Sequence, residues 1–203
     1  MRMIKIAVTG GPCGGKTTAL THIRALAEAE GYHVLTVGET ATELIGGGVA
    51  PWTCRTNAEY QAYQIDLQMK KEEIFLAAAR GMKKEKLLII CDRGLLDNRA
   101  YMTDEEFFSV LALRGDRYED YLAAYDAVFH LVTAACGAEA FYTVANNKAR
   151  TETPEEARDV DARLLAAWEG HPRHYVIDNR GSFADKLDRL SSALLMLLRE
   201  ETV

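Results

Sequence analysis

The stretch Thr9 to Thr18 restricts this chain more than any other. It reads Thr-Gly-Gly-Pro-Cys-Gly-Gly-Lys-Thr-Thr, and Gly10, Gly15, Lys16 and Thr17 fit the spacing G-x-x-x-x-G-K-[ST]. Glycines let a backbone curl until successive N–H groups converge on phosphate oxygens. A lysine at the end of the curl brings a point charge to the outer phosphates, and the hydroxyl after it can ligate Mg²⁺. A helix starting there adds the positive end of its dipole. The flanks agree: Met3 to Val8 is a short β-type run, and Thr18 to Glu30 reads as a helix with Leu20, Ile23, Leu26 and Ala27 on one face and Gly31 past its end. Gly11, Cys13, Gly14, Gly15, Lys16, Thr17 and Thr18 are therefore the candidate contacts to a nucleoside triphosphate.

With 203 residues the chain suits one α/β domain over 1–203. A net charge of −6 argues against a broad nucleic-acid surface, so anion binding must come from a local basic site. Cys13, Cys54, Cys91 and Cys136 lie far apart with no C-x-x-C, which indicates neither a zinc site nor a disulfide framework. The first apolar run is too short for a signal peptide, and no stretch is long enough to span a membrane. A cytoplasmic protein is the expectation.

The remaining candidates sit at strand ends, where doubly wound sheets bind ligands. His33–Val37 reads as a second strand ending at Glu39, which is either an acceptor-side base or ligand group, or a carboxylate opening the helix at Thr40–Leu44. Leu87–Cys91, apolar throughout, reads as a strand buried on both faces. It ends in Asp92-Arg93-Gly94. Asp92 fits the Walker-B role of an acid that binds Mg²⁺ directly or through its water, with Thr17 as the other metal-side group. Arg93 suits a bidentate clamp on a phosphoryl group, or a plain ion pair with Asp92. Asp97 either holds an acceptor or caps a helix. Between these strands, Thr56-Asn57-Ala58-Glu59 predicts a capping box, and the long helix after it is expected to bury Tyr60, Tyr63, Leu67, Ile74, Phe75 and Ala78. Gln61, Gln64 and Gln68 lie on its flank, where they either face a pocket or stay at the surface. Trp52 is read as pocket wall or core cover. Thr103–Glu106 is a second box, opening a helix to Leu113, and Tyr118–Tyr125 a further helix. Arg114 and Arg117, in the break between them, either reach phosphate or lie exposed. Ala127–Val132 is a fourth strand, with His130 inside it as a packing residue.

From about 134 to 160 the chain reads as a lid. Thr153, Pro154 and Glu156 predict a helix start inside it. Arg150 and Arg158 would swing onto the phosphates on closure, or else belong to a charged surface helix. His174–Asp178 is the fifth strand, Asn179-Arg180-Gly181 a turn, and Ser182 the cap of a last helix with Phe183, Leu187, Leu190, Leu194 and Leu197 toward the core. By analogy with adenylate-kinase-like folds, Asn179 and Gly181 flank the nucleotide base. His171 and His174 are too isolated for a metal site.

The chain resembles a family of small kinase-like AAA-type P-loop domains, which includes bacterial ATP/GTP-binding proteins and the N-terminal domain of the TRPL translocation defect protein. The resemblance rests on residues 10–18, on Asp92-Arg93-Gly94 with Asp97, and on Phe141-Tyr142-Thr143 with Asn146-Asn147. It continues through Arg150–Arg158, Gly170-His171-Pro172 and Ile177-Asp178-Asn179. Similarity to nucleoside and ribosylnicotinamide kinases is fainter. The resemblance implies a three-layer P-loop NTPase fold: a five-stranded parallel sheet of order 2-3-1-4-5, flanked by helices, with a lid. It further implies ATP or GTP binding with Mg²⁺, and for one relative an association with GTP and phosphoinositide.

Three functions remain in view. The first is phosphoryl transfer to a small-molecule acceptor, with Lys16, Glu39, Asp92, Arg93, Arg150 and Arg158 as the catalytic set. The second is a nucleotide-controlled binding protein or slow NTPase. A Ras-like version lacks the Asn-Lys-x-Asp base signature, since Asn147-Lys148-Ala149 ends in Arg150. The third is peripheral phosphoinositide contact through basic groups such as Lys83–Lys86, against which the acidic total charge argues.

Overall fold

The nearly continuous apolar runs at Ile4–Val8 and Leu87–Cys91 have no polar face to offer water, which confines them to the middle of a sheet covered on both sides. The computed structural model, which describes residues 1–139 and 153–200, places them there. Five strands, β1 (Arg2–Thr9), β2 (His33–Val37), β3 (Lys86–Asp92), β4 (Ala127–Leu131) and β5 (His174–Ile177), form one parallel sheet in the order β2-β3-β1-β4-β5. This is the order expected for the P-loop fold.

Side-chain alternation along β1 divides the core in two. Ile4, Ile6 and Val8 face one layer, packed with Ile23 of α1 (Lys16–Ala29) and Leu190, Leu194 and Leu197 of α7 (Phe183–Arg199). Ala7 faces the other, with Leu87, Ile89, Val128, Ile65, Phe107 and Trp168. That second layer is built from α3 (Asn57–Gly81), a 3₁₀ helix (Leu95–Tyr101), α4 (Asp104–Arg114), α5 (Tyr118–Leu122) and α6 (Pro154–Ala167), while α2 (Thr40–Gly46) follows β2. Capping boxes at Thr103/Glu106 and Thr153/Glu156 start α4 and α6 as expected, and a third at Ser182/Asp185 starts α7. No helix among the described residues is long and apolar enough to cross a membrane.

Besides Phe183, expected toward the core but 48% exposed, four expectations fail. The face of α3 that is buried carries Tyr60, Gln61, Ile65, Gln68, Glu72 and Ala79, while Tyr63 and Ile74 are 43% and 55% exposed. The reason is a buried polar knot that apolar periodicity cannot register. Lys5 of β1 pairs with Glu72 at 2.5 Å, and Glu72 also accepts from Gln68 at 3.0 Å and from the Tyr125 hydroxyl at 2.7 Å. Each buried charge is thereby partnered, as low-dielectric surroundings require. Second, Trp52 is neither pocket nor core: it is 75% exposed. Third, the box at Thr56 is half made. Thr56 accepts from the Glu59 amide, but the Glu59 carboxylate turns to Arg55. Fourth, α5 stops at Leu122, which frees Tyr125 to reach Glu72 and accept from the Leu95 amide at 2.9 Å. The residues of the expected lid between 140 and 152, including Arg150 and the Phe141–Asn147 motif, lie outside the described residues.

Two stability measurements follow from this packing. Trp168 is fully buried, so Trp168→Ala should cost about 3–5 kcal/mol in urea unfolding, whereas Leu113→Ala, at a position 89% exposed, should stay within about 0.5 kcal/mol. His174 is half-buried, with no partner for Nε2 among the described residues, and burial, reinforced by His130 and His171, lowers its pKa from 6.5 to about 4. The unfolded chain then binds a proton that the fold refuses, so stability falls as pH drops from about 6.5 towards 4. His174→Gln should flatten that acid limb relative to the parent chain.

Candidate functional site

β1 and its neighbours end level: Val8 pairs with Asp92 of β3, and Thr9 with His130 of β4. The loop 10–15 therefore leaves the sheet between two strand ends and curls back over β4. Gly10 has φ +138°, and a Cβ there would strike the Leu131 carbonyl. Gly15, at φ +87°, is the left-handed N-cap of α1 and offers no capping side chain. The first-turn amides of α1 thus keep their hydrogens for a ligand. Cys13 is also left-handed, at φ +58°, and the Gly14 amide closes the turn on the Gly11 carbonyl at 3.2 Å.

Buried side chains grip the loop from behind. Asp161 of α6 accepts from the Gly11 amide at 2.7 Å, and its carboxylate also meets His130 Nε2 at 3.0 Å. Thr133 donates to the Pro12 carbonyl. Lys186 of α7 donates to the Gly14 carbonyl at 2.9 Å, to the Val132 carbonyl at 2.7 Å and to Asn179 Oδ1 at 2.7 Å. Three acceptors match the three protons of an ammonium, while burial draws its pKa down to about 8. Asn179 is itself latched, its amide donating to the Thr133 and Cys136 carbonyls at 2.7 Å each. A cavity of about 220 Å³ opens here, lined by Cys13, Gly14, Asn179, Gly181, Phe183 and Lys186. The predicted pair Asn179 and Gly181 thus does meet the phosphate loop.

On the opposite side of the loop the charges are interlocked. Lys16, the first residue of α1, pairs with Asp92 and lies 3.8 Å from Glu39. Glu39 accepts from Arg93 Nε at 3.0 Å and from the Thr42 hydroxyl at 2.8 Å. Burial opposes its ionisation, but Arg93 and Lys16 outweigh that and hold its carboxyl at about 2. Arg93 takes a left-handed backbone, φ +83°, and also donates to the Gly10 carbonyl at 3.0 Å. Its guanidinium lies 3.5 Å from Asp97, which is 2% exposed and neither caps a helix nor stands free. Thr9 and Trp168 Nε1 donate to the two Asp97 oxygens at 2.6 and 2.7 Å. A second cavity, about 260 Å³, is lined by Glu39, Gln61, Gln64, Gln68, Arg93 and Tyr101 among others.

The other sequence candidates lie at the edge of this cluster or beyond it. Thr17 and Thr18 are exposed on the first turn of α1. Arg158 bonds Glu155, one turn back on α6, at 2.7 Å, and the Ala135 carbonyl of the segment after β4 at 3.0 Å. Arg114 pairs with Asp66 and Asp116, and Arg117 is largely exposed. No group of three or more His, Cys, Asp or Glu among the described residues is placed to hold a metal. For Mg²⁺ the available donors are a carboxylate and a hydroxyl, Asp92 and Thr17, a hard-oxygen pair that suits an ion keeping several waters.

Sequence reasoning missed Asp161 and Lys186, although both left a trace. Asp161 interrupts the buried row Ala157, Leu164, Trp168 on α6, and Lys186 sits beside Leu187 on the core face of α7. A charge on an apolar stripe is the signal that a backbone or ion needs it there.

Among curated proteins, none matches the chain. Among solved structures it is similar to deoxyadenosine kinase from M. mycoides with bound dATP, at 14% identity and a TM-score of 0.58, covering 95% of this chain and 99% of that one. That likeness shows the fold, a P-loop kinase-like sheet. The model of one sequence family, the AAA domain, matches residues 5–186. A phosphate-loop geometry inside a match of that extent has one reading: the chain belongs to the AAA-domain family.

Proposed function

We propose that the protein binds ATP or GTP with Mg²⁺ and transfers the terminal phosphoryl group to a small-molecule acceptor. The observation that carries this reading is the pair of cavities at the two ends of one loop. Gly14 lines the first, while Arg93, which lines the second, donates to the Gly10 carbonyl. A polyphosphate lying along the loop would point its base toward Asn179 and Gly181 and its terminal phosphate toward Glu39 and Arg93. The structural neighbour is described as a deoxyadenosine kinase with bound dATP, which supports a kinase reading.

In this scheme Lys16 leaves Asp92 for the β- and γ-phosphates, and Asp92 with Thr17 would hold the metal. When bound, Mg²⁺ neutralises charge that builds on the phosphate oxygens. Arg93 stabilises the transferring group, joined by Arg150 and Arg158 from the lid. Glu39, ionised at neutral pH, accepts the acceptor hydroxyl's hydrogen bond and aims it. A loose transition state asks for positioning rather than a strong base, so a carboxylate of such low pKa is adequate.

Lys16→Ala should weaken ATP and GTP binding by about 10- to 100-fold, the worth of charge-assisted bonds to phosphate, with an unchanged circular dichroism spectrum. Equal affinity in the variant would remove the nucleotide assignment. A screen of acceptors with radiolabelled ATP and GTP should yield a phosphorylated small molecule. Phosphate release alone would instead establish the slow-NTPase reading.

A further inference from the structure

Lys186 stands where a cation is least welcome. It lies in the first turn of α7, whose dipole opposes positive charge, and it is only 3% exposed. A buried stripe carries a lysine only where partners need it. Here the partners are complete: the ammonium gives its three hydrogens to the Gly14 carbonyl at 2.9 Å, the Val132 carbonyl at 2.7 Å and Asn179 Oδ1 at 2.7 Å. These acceptors belong to three separate segments: the phosphate loop, the chain after β4 and the turn after β5.

What the ammonium does to the loop follows from peptide geometry. In a trans peptide, as between Gly14 and Gly15, the C=O of one residue and the N–H of the next point in opposite directions. Holding the Gly14 carbonyl against α7 therefore aims the Gly15 amide to the other side. That amide donates to no described residue. The Phe183 ring closes the remaining side, with an edge atom 2.7 Å from where a Gly15 Cβ would stand. Two residues of α7 thus orient one amide: Lys186 turns the peptide and Phe183 backs it.

We propose that Lys186 is a positioning residue of the phosphate site, presenting the Gly15 amide to an incoming phosphate so that triphosphate affinity depends on one buried charge. This rests on the reading of the loop as a nucleoside-triphosphate site. The groups facing the ammonium are Asp161 on α6, with His130 behind it, Asp178 after β5, Arg189 further along α7, and the thiols of Cys13 and Cys136. Burial outweighs the two carboxylates and, with Arg189, lowers the pKa to about 8. A triphosphate at Gly15 adds negative charge and holds the proton in place. The complex then keeps a proton that the free protein loses, so affinity falls as pH rises through about 8.

Calorimetric titration with ATP reads this without turnover, which keeps it separable from the transfer reaction. Between pH 7 and pH 9 the dissociation constant should rise about tenfold, one decade for the pH unit above 8. Lys186→Met should bind ATP and GTP about tenfold more weakly at pH 7, the loss of one charge-assisted bond, with no further rise to pH 9. An equal loss for both nucleotides places the effect on the phosphates rather than the base. Lys186→Arg, whose charge does not titrate, should also flatten the profile, and it decides the matter if Lys186→Met fails to fold. The rise must persist in Cys13→Ser, because a thiol beside the phosphates would give a change of the same sign. A role confined to stability would lower the urea midpoint of Lys186→Met and leave the pH slope of binding in place. A flat profile in the parent chain, a slope surviving in both Lys186 variants, or a slope lost in Cys13→Ser would each overturn the inference alone. Absence of ATP binding at every pH would remove the nucleotide site and the role of Lys186 together.

Discussion

Everything in this protein depends on one strand being enclosed. β1 is hydrogen-bonded on both edges and covered on both faces, so its carboxyl end has a single direction in which to continue. The phosphate loop, the Asp92-Arg93 turn and the segment after Leu131 all emerge at that edge, because parallel neighbours end together. The convergence of Lys16, Asp92, Glu39 and Arg93 is therefore a result of sheet register rather than of any local attraction among them. Ionic pairing then sorts the four once they are close.

A second layer of polar groups fixes the loop's shape. Asp161, Thr133 and Lys186 bond to the main chain of residues 11, 12 and 14, and all three sit in the low-dielectric interior. Bonds of this kind are modest as net stabilisers but expensive to leave half made. Their effect is to specify one curl of a glycine-rich segment that would otherwise sample many.

Much of this was visible in the sequence. The strand positions followed from apolar runs, the helix starts at Thr103, Thr153 and Ser182 from capping chemistry, and the loop from its glycines. The failures on α3 and at Tyr125 share one cause. On α3 the buried residues are Gln61, Gln68 and Glu72, and their burial is decided by Lys5, Tyr125 and the Arg93 carbonyl, all distant along the chain. A pattern of hydrophobicity carries no record of a long-range polar partner. The glutamines expected on a flank open to a pocket do line the 260 Å³ cavity, whereas Asp161 and Lys186 drew no notice in the sequence. Glu39 and Arg93 were legible because strand ends collect chemistry in this architecture.

The bond from the Gly11 amide to Asp161 has a consequence for timing. One backbone hydrogen cannot be given fully to a carboxylate and to a phosphate oxygen at once, so an anion seeking Gly11 competes with the helix that begins at Pro154. That helix begins inside the segment, about 134 to 160, expected to cover the nucleotide. An anion that took this hydrogen would loosen the hold of α6 on the loop, and by thermodynamic reciprocity whatever loosened that hold would favour the anion.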